Sequence, residues 1–252
     1  MRSALVLSFT LLFVAAGCGG DDTTTVTVRE TVTETAASTV PSEAPASVAL
    51  YFLQDGKVWP EQRAIVSGPA IATATIAELF EGPESDLTTA IPRESASLTL
   101  LTIENGVGSI ELDPPVTDRK ALAQLTYTLT QFDSVQRVSF NGERPVGRGA
   151  FEEETPAILV ESPLSGEAVE SGFEATGTAN TFEATFQYEL RDADDKILKK
   201  DFVTATSGSG TRGTFRFTVP YEGSGPGRLV VFEISAEDGS RTNERTTPLS
   251  LR

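Results

Sequence analysis

The sequence predicts an α+β domain followed by an all-β sandwich, and three observations carry that prediction. In the first half, apolar residues recur at helical spacing in two places, and strand-like segments bounded by turn residues surround them. In the second half the helical period disappears and short alternating strands arrive at even intervals. Between the halves lies VGRGAFEEE, residues 146–154, a run of glycines and acids that reads as a hinge.

The chain opens with Arg2 and an apolar run over residues 4–16 that ends in small side chains. The run is too short to span a bilayer comfortably and reads as a secretory leader over residues 1–17. Ala15-Ala16-Gly17-Cys18 resembles the bacterial lipobox, with Ala15 where leucine is usual. That resemblance implies a diacylglycerated Cys18 as mature N-terminus. It also implies an extracytoplasmic lipoprotein anchored to the cell membrane. Buried methylenes at ~0.8 kcal/mol each supply such an anchor without basic residues. Residues 18–47 are rich in Thr, Ala, Glu and Pro and hold no large apolar side chain. They read as a disordered tether with a reach of about 30 Å.

The first domain is expected over residues 48–146. Residues 48–53 form a strand with apolar side chains on both faces, and Gln54-Asp55-Gly56-Lys57 turns the chain. A short strand is expected over residues 63–66. Ala72, Ile76, Leu79 and Phe80 share a helical face, and Gly82-Pro83 stops that helix. Residues 98–103 and 107–112 flank Asn105-Gly106, a strong hairpin signal. Gly106-Val107-Gly108 therefore belongs to a turn and not to a phosphate loop. Leu122, Leu125, Leu129 and Phe132 form a second helical stripe, with Thr117 as N-cap and Asp118 in the first turn. Val138 and Phe140 then alternate as a strand that Asn141-Gly142 ends. The order is βαββαβ-like, with two helices on one side of a mixed sheet.

Several of these residues carry a resemblance. Glu78-Leu79-Phe80-Glu81-Gly82-Pro83, Ile91-Pro92, Thr128-Leu129-Thr130-Gln131-Phe132 and Val138-Ser139-Phe140-Asn141-Gly142 occur in one order, after Leu50-Tyr51-Phe52 and Arg63. The series resembles the GerMN domain of sporulation and spore-germination proteins and covers the whole segment. The resemblance implies an α+β fold, a scaffolding or regulatory role at the cell envelope, and no catalytic residues.

The second domain is expected over residues 155–252. Phe182, Ala184, Phe186, Tyr188 and Leu190 alternate with polar residues, as do Phe215, Phe217 and Val219. Turns at 162–166, 192–195, 223–227 and 237–240 separate about seven strands, which predicts an immunoglobulin-like sandwich. Ser162-Pro163-Leu164-Ser165-Gly166, Gly177-Thr178-Ala179 and Phe182-Glu183-Ala184 resemble the immunoglobulin-like domain that accompanies GerMN domains in germination-type lipoproteins.

The formal charge is −16. Such a surface repels nucleic-acid phosphates and anionic lipid heads, so no nucleic acid is expected as a partner. There is no histidine and one cysteine. A Ser-His-Asp triad, a His-based metal site and an intrachain disulfide are thereby excluded. Asp192, Asp194 and Asp195 lack the Gly and Glu positions of an EF-hand loop and read as a hairpin tip. Glu78 with Glu81, and the Glu152-Glu153-Glu154 run, read as solvated faces. No catalytic, cofactor-binding or metal residue is expected, and no cofactor. Trp59, beside Pro60 after a turn, is expected to be exposed and is the candidate contact residue. The expected function is that of a non-catalytic, membrane-anchored envelope lipoprotein. It would bind or scaffold an envelope protein, in sporulation, germination or envelope regulation. The alternative is a lipoprotein that binds a small ligand or wall glycan at an aromatic shelf around Trp59. A hydrolase built on paired carboxylates has no recognisable acid–base pair to rest on.

Overall fold

Two hairpins and two helices build the first domain of the computed structural model, which describes residues 45–66, 68–94 and 96–252. The leader, Cys18 and most of the tether lie outside the described residues. The opening strand β1, Pro45–Gln54, pairs antiparallel with β2, Lys57–Val66. Asp55 and Gly56 turn between them with φ of 51° and 75°, a left-handed pair suited to a tight hairpin. The second strand is ten residues long and not a short piece at 63–66. Pro60 hid it from the sequence reading, because proline demotes a strand. In a two-stranded ribbon each strand keeps a free edge, so the missing N–H costs nothing there.

Helix α1, Ile71–Glu81, ends where Gly82 takes φ 95° and donates to the Leu79 carbonyl. Strands β3, Ser97–Glu104, and β4, Val107–Asp113, form the expected hairpin, with Asn105 and Gly106 at φ 51° and 79°. Helix α2, Arg119–Leu129, is capped by Asp118 and not by Thr117. The Asp118 carboxylate accepts from the Lys120 and Ala121 amides at 2.8 and 3.1 Å. The last strand, β5, Arg137–Phe140, runs parallel to β4. The expected single mixed sheet is two: the β1–β2 ribbon and a β3–β4–β5 sheet.

The central helix is buried almost all round, beyond the expected Leu stripe. Gln124, Thr126 and Thr128 are as buried as Leu125 and Leu129. Two of these polar residues, with Gln131 just past the helix, act as a surrogate strand along the open edge of β1. The Tyr51 amide donates to Thr128 Oγ1 at 3.0 Å, and Gln124 Nε2 donates to the Tyr51 carbonyl at 3.1 Å. Gln131 both accepts from the Ala49 amide and donates to its carbonyl. Beyond them, Leu53 and Thr88 exchange two backbone hydrogen bonds. A buried edge thus has its donors and acceptors satisfied at i, i+4 and i+7 of one helical face. Gln124→Met keeps the volume but strands the Tyr51 carbonyl and the Ala90 amide, which donates to Gln124 Oε1 at 2.8 Å. The expected loss is about 2 kcal/mol, read as a lowered denaturation midpoint.

The second domain is a sandwich. One sheet runs β10–β9–β12–β13–β7 and the other β11–β8–β6. The strands are β6, Ile158–Ser162; β7, Ala168–Val169; β8, Phe173–Ala179; β9, Thr185–Asp192; β10, Ile197–Thr204; β11, Gly213–Val219; β12, Gly225–Ile234; and β13, Arg241–Leu251. Phe186, Tyr188 and Leu190 of β9 face Val160, Ala175 and Phe215 across one core. Phe186 and Phe215 meet edge to face at 4.9 Å. The alternation fails at its first member. Phe182 is 66 % exposed, because Glu183 and Ala184 adopt positive φ and β9 starts only at Thr185. Gly208 packs against that turn so closely that an added Cβ would lie 2.5 Å from Ala184 Cα. No helix among the described residues is long and apolar enough to cross a membrane.

Candidate functional site

The junction between the two domains is where their chemistry concentrates. Residues 146–154 are not an open hinge: Arg148–Glu154 is a 3-10 helix with Phe151 only 3 % exposed. Phe151 shares an apolar cluster with Tyr51, Trp59 and Tyr127 of the first domain and with Leu159 of β6. The Tyr51 and Tyr127 rings lie 5.2 Å apart.

A polar network runs through that cluster. Arg148 Nη1 donates to Glu161 Oε1 at 2.6 Å, Nε to Thr130 Oγ1 at 2.7 Å and Nη2 to the Tyr127 carbonyl at 3.2 Å. Its guanidinium stands 4.6 Å from the centre of the Tyr127 ring and 5.5 Å from that of Tyr51. The Tyr51 hydroxyl donates to the same Glu161 oxygen. Burial and the Glu161 carboxylate hold that hydroxyl protonated, well above the usual phenol range.

The acidic run is also structural and not a solvated spacer. Glu152 accepts from Arg212 Nε at 2.9 Å and from Asn180 at 2.8 Å, both in the second domain. Glu154 accepts from Arg119 Nε of α2 at 2.9 Å, and Lys57 of β2 donates to the Glu153 carbonyl. The connecting segment is therefore held from both sides.

A groove of about 790 Å³ opens beside this junction. Leu53, Trp59, Pro60 and Leu87 supply its apolar lining from the first domain. Ser165, Thr246 and Pro248 close it from the second. Four carboxylates line it, Asp55, Glu61, Glu84 and Asp86, and no lysine or arginine does. Glu61 is fully engaged: Arg63 Nη2 donates to it at 2.8 Å, and the Glu84 and Ser85 amides at 3.1 Å each. The other three acids are exposed. Glu84 lies 3.3 Å from Arg63 and Asp55 lies 3.6 Å from Arg245, while Asp86 has no partner among the described residues.

Trp59 lines this groove but is 4 % exposed, against the expectation of a free aromatic shelf. The indole is buried in the cluster it shares with Tyr51, Leu53, Val58, Tyr127 and Phe151. Cys18 lies outside the described residues. The Asp192–Asp195 tip is internally engaged. Asp192 Oδ1 accepts from the Asp194 and Lys196 amides, and Asp195 pairs with Arg191 and Arg228. Glu78 pairs with Arg63 at 3.3 Å. No group of three or more His, Cys, Asp or Glu among the described residues is arranged to hold a metal ion. Sequence reasoning missed Asp55, Glu84 and Asp86 as groove residues. No local signal pointed there, since Glu84 and Asp86 lie 25 and 27 residues from Trp59 in the sequence.

Three glutamates titrate below the usual carboxylate range. Burial opposes ionisation of Glu61 and Glu189, but hydrogen bonds from Ser85, Glu84 and Arg63, and from Arg241 and Arg191, outweigh it. The Arg212 hydrogen bond leads for Glu152. Their contribution to stability is therefore complete above the unfolded value of about 4.3 and is lost as pH falls through the lower folded values. The thermal midpoint is expected to stay flat from about pH 7 to 5 and to drop below about pH 4. A scan of midpoint against pH that rises on acidification would contradict this assignment.

Comparison with known proteins bears on both halves. Residues 49–144 match the family model Germane, described as sporulation and spore germination. Residues 157–240 match Gmad2, described as the immunoglobulin-like domain of bacterial spore germination. No curated protein matches the chain. Several solved structures resemble part of it, three of them as follows. A candidate lipoprotein from Clostridium perfringens is 17 % identical, with a TM-score of 0.29 over 42 % of this chain and 89 % of that one. CopC from Methylosinus trichosporium OB3b is 14 % identical, with a TM-score of 0.26 over 37 % and 92 %. WR4, a C. elegans MSP family member, is 13 % identical, with a TM-score of 0.24 over 38 % and 99 %.

Proposed function

This chain joins a Germane domain to a Gmad2 domain, and from that pairing we propose that it is a non-catalytic envelope lipoprotein that scaffolds another envelope protein. The two domain families support a role in sporulation or germination. The observation that carries the scaffolding reading is the shared core around Phe151, Tyr51 and Leu159. It welds two modules into one surface, which suits a partner that touches both. A sequence without histidine, carrying one cysteine in its leader region, supports a non-catalytic role. The same cysteine, Cys18, is the proposed lipid anchor, with the cell membrane as the site of action and the acidic surface favouring a basic or neutral partner. A wall-glycan role has weaker support, because the buried Trp59 presents no open face on which a sugar ring would stack.

The test has two arms. Full-length protein is expected to partition into the detergent phase of a phase-separating surfactant, and Cys18→Ser to move it into the aqueous phase. Crosslinking in intact cells is expected to attach one recurrent envelope protein. Aqueous partitioning of the unaltered protein would remove the anchor. Substrate turnover by the purified chain, or crosslinking without a recurrent partner, would remove the scaffold.

A further inference from the structure

We propose that the groove between the domains is a docking site for a short cationic peptide segment of the partner, one that sets Lys or Arg side chains beside an apolar residue. The inference rests on the scaffolding reading above and names where and by what chemistry the partner is held.

Three features select that occupant. The first is charge. The lining holds four carboxylates and no cation; outside it, Arg63 pairs with Glu61 and Glu84, Arg245 pairs with Asp55, and Lys120 Nζ lies beside Gly56 at the hairpin tip. Glu61 is consumed by its own hydrogen bonds, which leaves the exposed Asp55, Glu84 and Asp86 as the acids an arriving cation would meet. Asp86 has no partner among the described residues, so an arriving ammonium or guanidinium displaces no internal ion pair there. The second is the lining. Leu53, Pro60, Leu87 and Pro248 are apolar, so a cationic side chain can lay its methylenes along them with its head at the acids. The third is size. About 790 Å³ lies within the range of about 300–1,000 Å³ typical of sites that enclose a ligand. Trp59 argues against a saccharide, since stacking needs an open ring face and this indole is buried. Because Ser165, Thr246 and Pro248 come from the second domain, the groove exists only when the domains are docked.

The chain contains a single tryptophan, and it lines the groove. Trp59 emission therefore reports occupancy directly. Full-length protein in detergent micelles is panned against a random heptapeptide display library. An enriched peptide is then titrated while Trp59 emission is followed. The expected result is enrichment of peptides with two or more Lys or Arg around an apolar residue. Binding should shift Trp59 emission and weaken with added salt. The double variant Glu84→Gln, Asp86→Asn removes two exposed charges and is expected to bind about tenfold more weakly with an unchanged melting midpoint. Enrichment without regard to charge, binding that leaves Trp59 emission unchanged, or equal affinity for the double variant would overturn the proposal. So would a Trp59 response to chitotetraose that ignores the double variant, which would make the groove a glycan site. The same double variant separates the two readings in cells. If it still crosslinks to the recurrent partner as the unaltered protein does, the scaffold stands and the groove inference fails. If no partner is captured even by the unaltered protein, the scaffold itself fails.

Discussion

Phe151→Ala is expected to destabilise the protein by about 3–5 kcal/mol, and to do so in both domains at once. The ring is 3 % exposed at the centre of a cluster that includes Tyr51, Val58 and Tyr127 from one domain and Leu159 from the other. Deleting it opens a cavity whose walls belong to different sheets. Neither sheet can close the gap alone, because β1 is fixed by Gln124, Thr128 and Gln131 and β6 by its pairing with β8. The Arg119 guanidinium, 5.4 Å from the ring centre, loses its aromatic face as well. Calorimetry of the unaltered protein is expected to give one cooperative transition, and the variant a lower midpoint. If Phe151→Ala lowered the midpoint of only one of two separate transitions, the two halves would be independent folding units and the shared core a contact of little weight.

The same cluster marks the limit of what the sequence reveals. Local signals are fully legible where backbone conformation dictates residue type. Asn105-Gly106, Asn141-Gly142 and Asp55-Gly56 all turn as their side chains predict, with positive φ at each. Periodicity locates Leu125 and Leu129 in the core and identifies Phe186, Tyr188 and Leu190 as one inward face. What periodicity misses is polar burial. Gln124 and Thr128 look like the wet side of α2, yet they complete the hydrogen bonding of β1, a need that belongs to a distant strand. Glu152-Glu153-Glu154 looks solvated because its cations, Arg212, Arg119 and Lys57, come from 60, 35 and 96 residues away. Trp59 looks exposed because Pro60 disguises β2. The candidate groove depends on the docking of two domains and so could not be read from either one.

Arg148→Ala is expected to cost about 3 kcal/mol, at the low end for a broken buried ion pair because Arg148 and Glu161 keep 26 % and 20 % side-chain exposure. The arginine donates to groups of both domains, Thr130 and Tyr127 in the first and Glu161 in the second. Its removal leaves Glu161 with only the Tyr51 hydroxyl, and leaves Thr130 Oγ1 and the Tyr127 carbonyl without their donor. Glu161→Gln should cost less, because an amide still accepts from Arg148 and Tyr51. The double variant should recover part of the Arg148→Ala loss, since no unpaired carboxylate then remains. A coupling of about 1–2 kcal/mol between the two sites in chemical denaturation is the expected signature. Additive losses would mean that the pair is a solvent-screened contact, and that apolar packing around Phe151 alone joins the domains. Lysine at position 148 distinguishes charge from geometry. It keeps the positive charge but cannot reach Glu161, Thr130 and the Tyr127 carbonyl from one rigid plane, so Arg148→Lys is expected to rescue less than half of the loss.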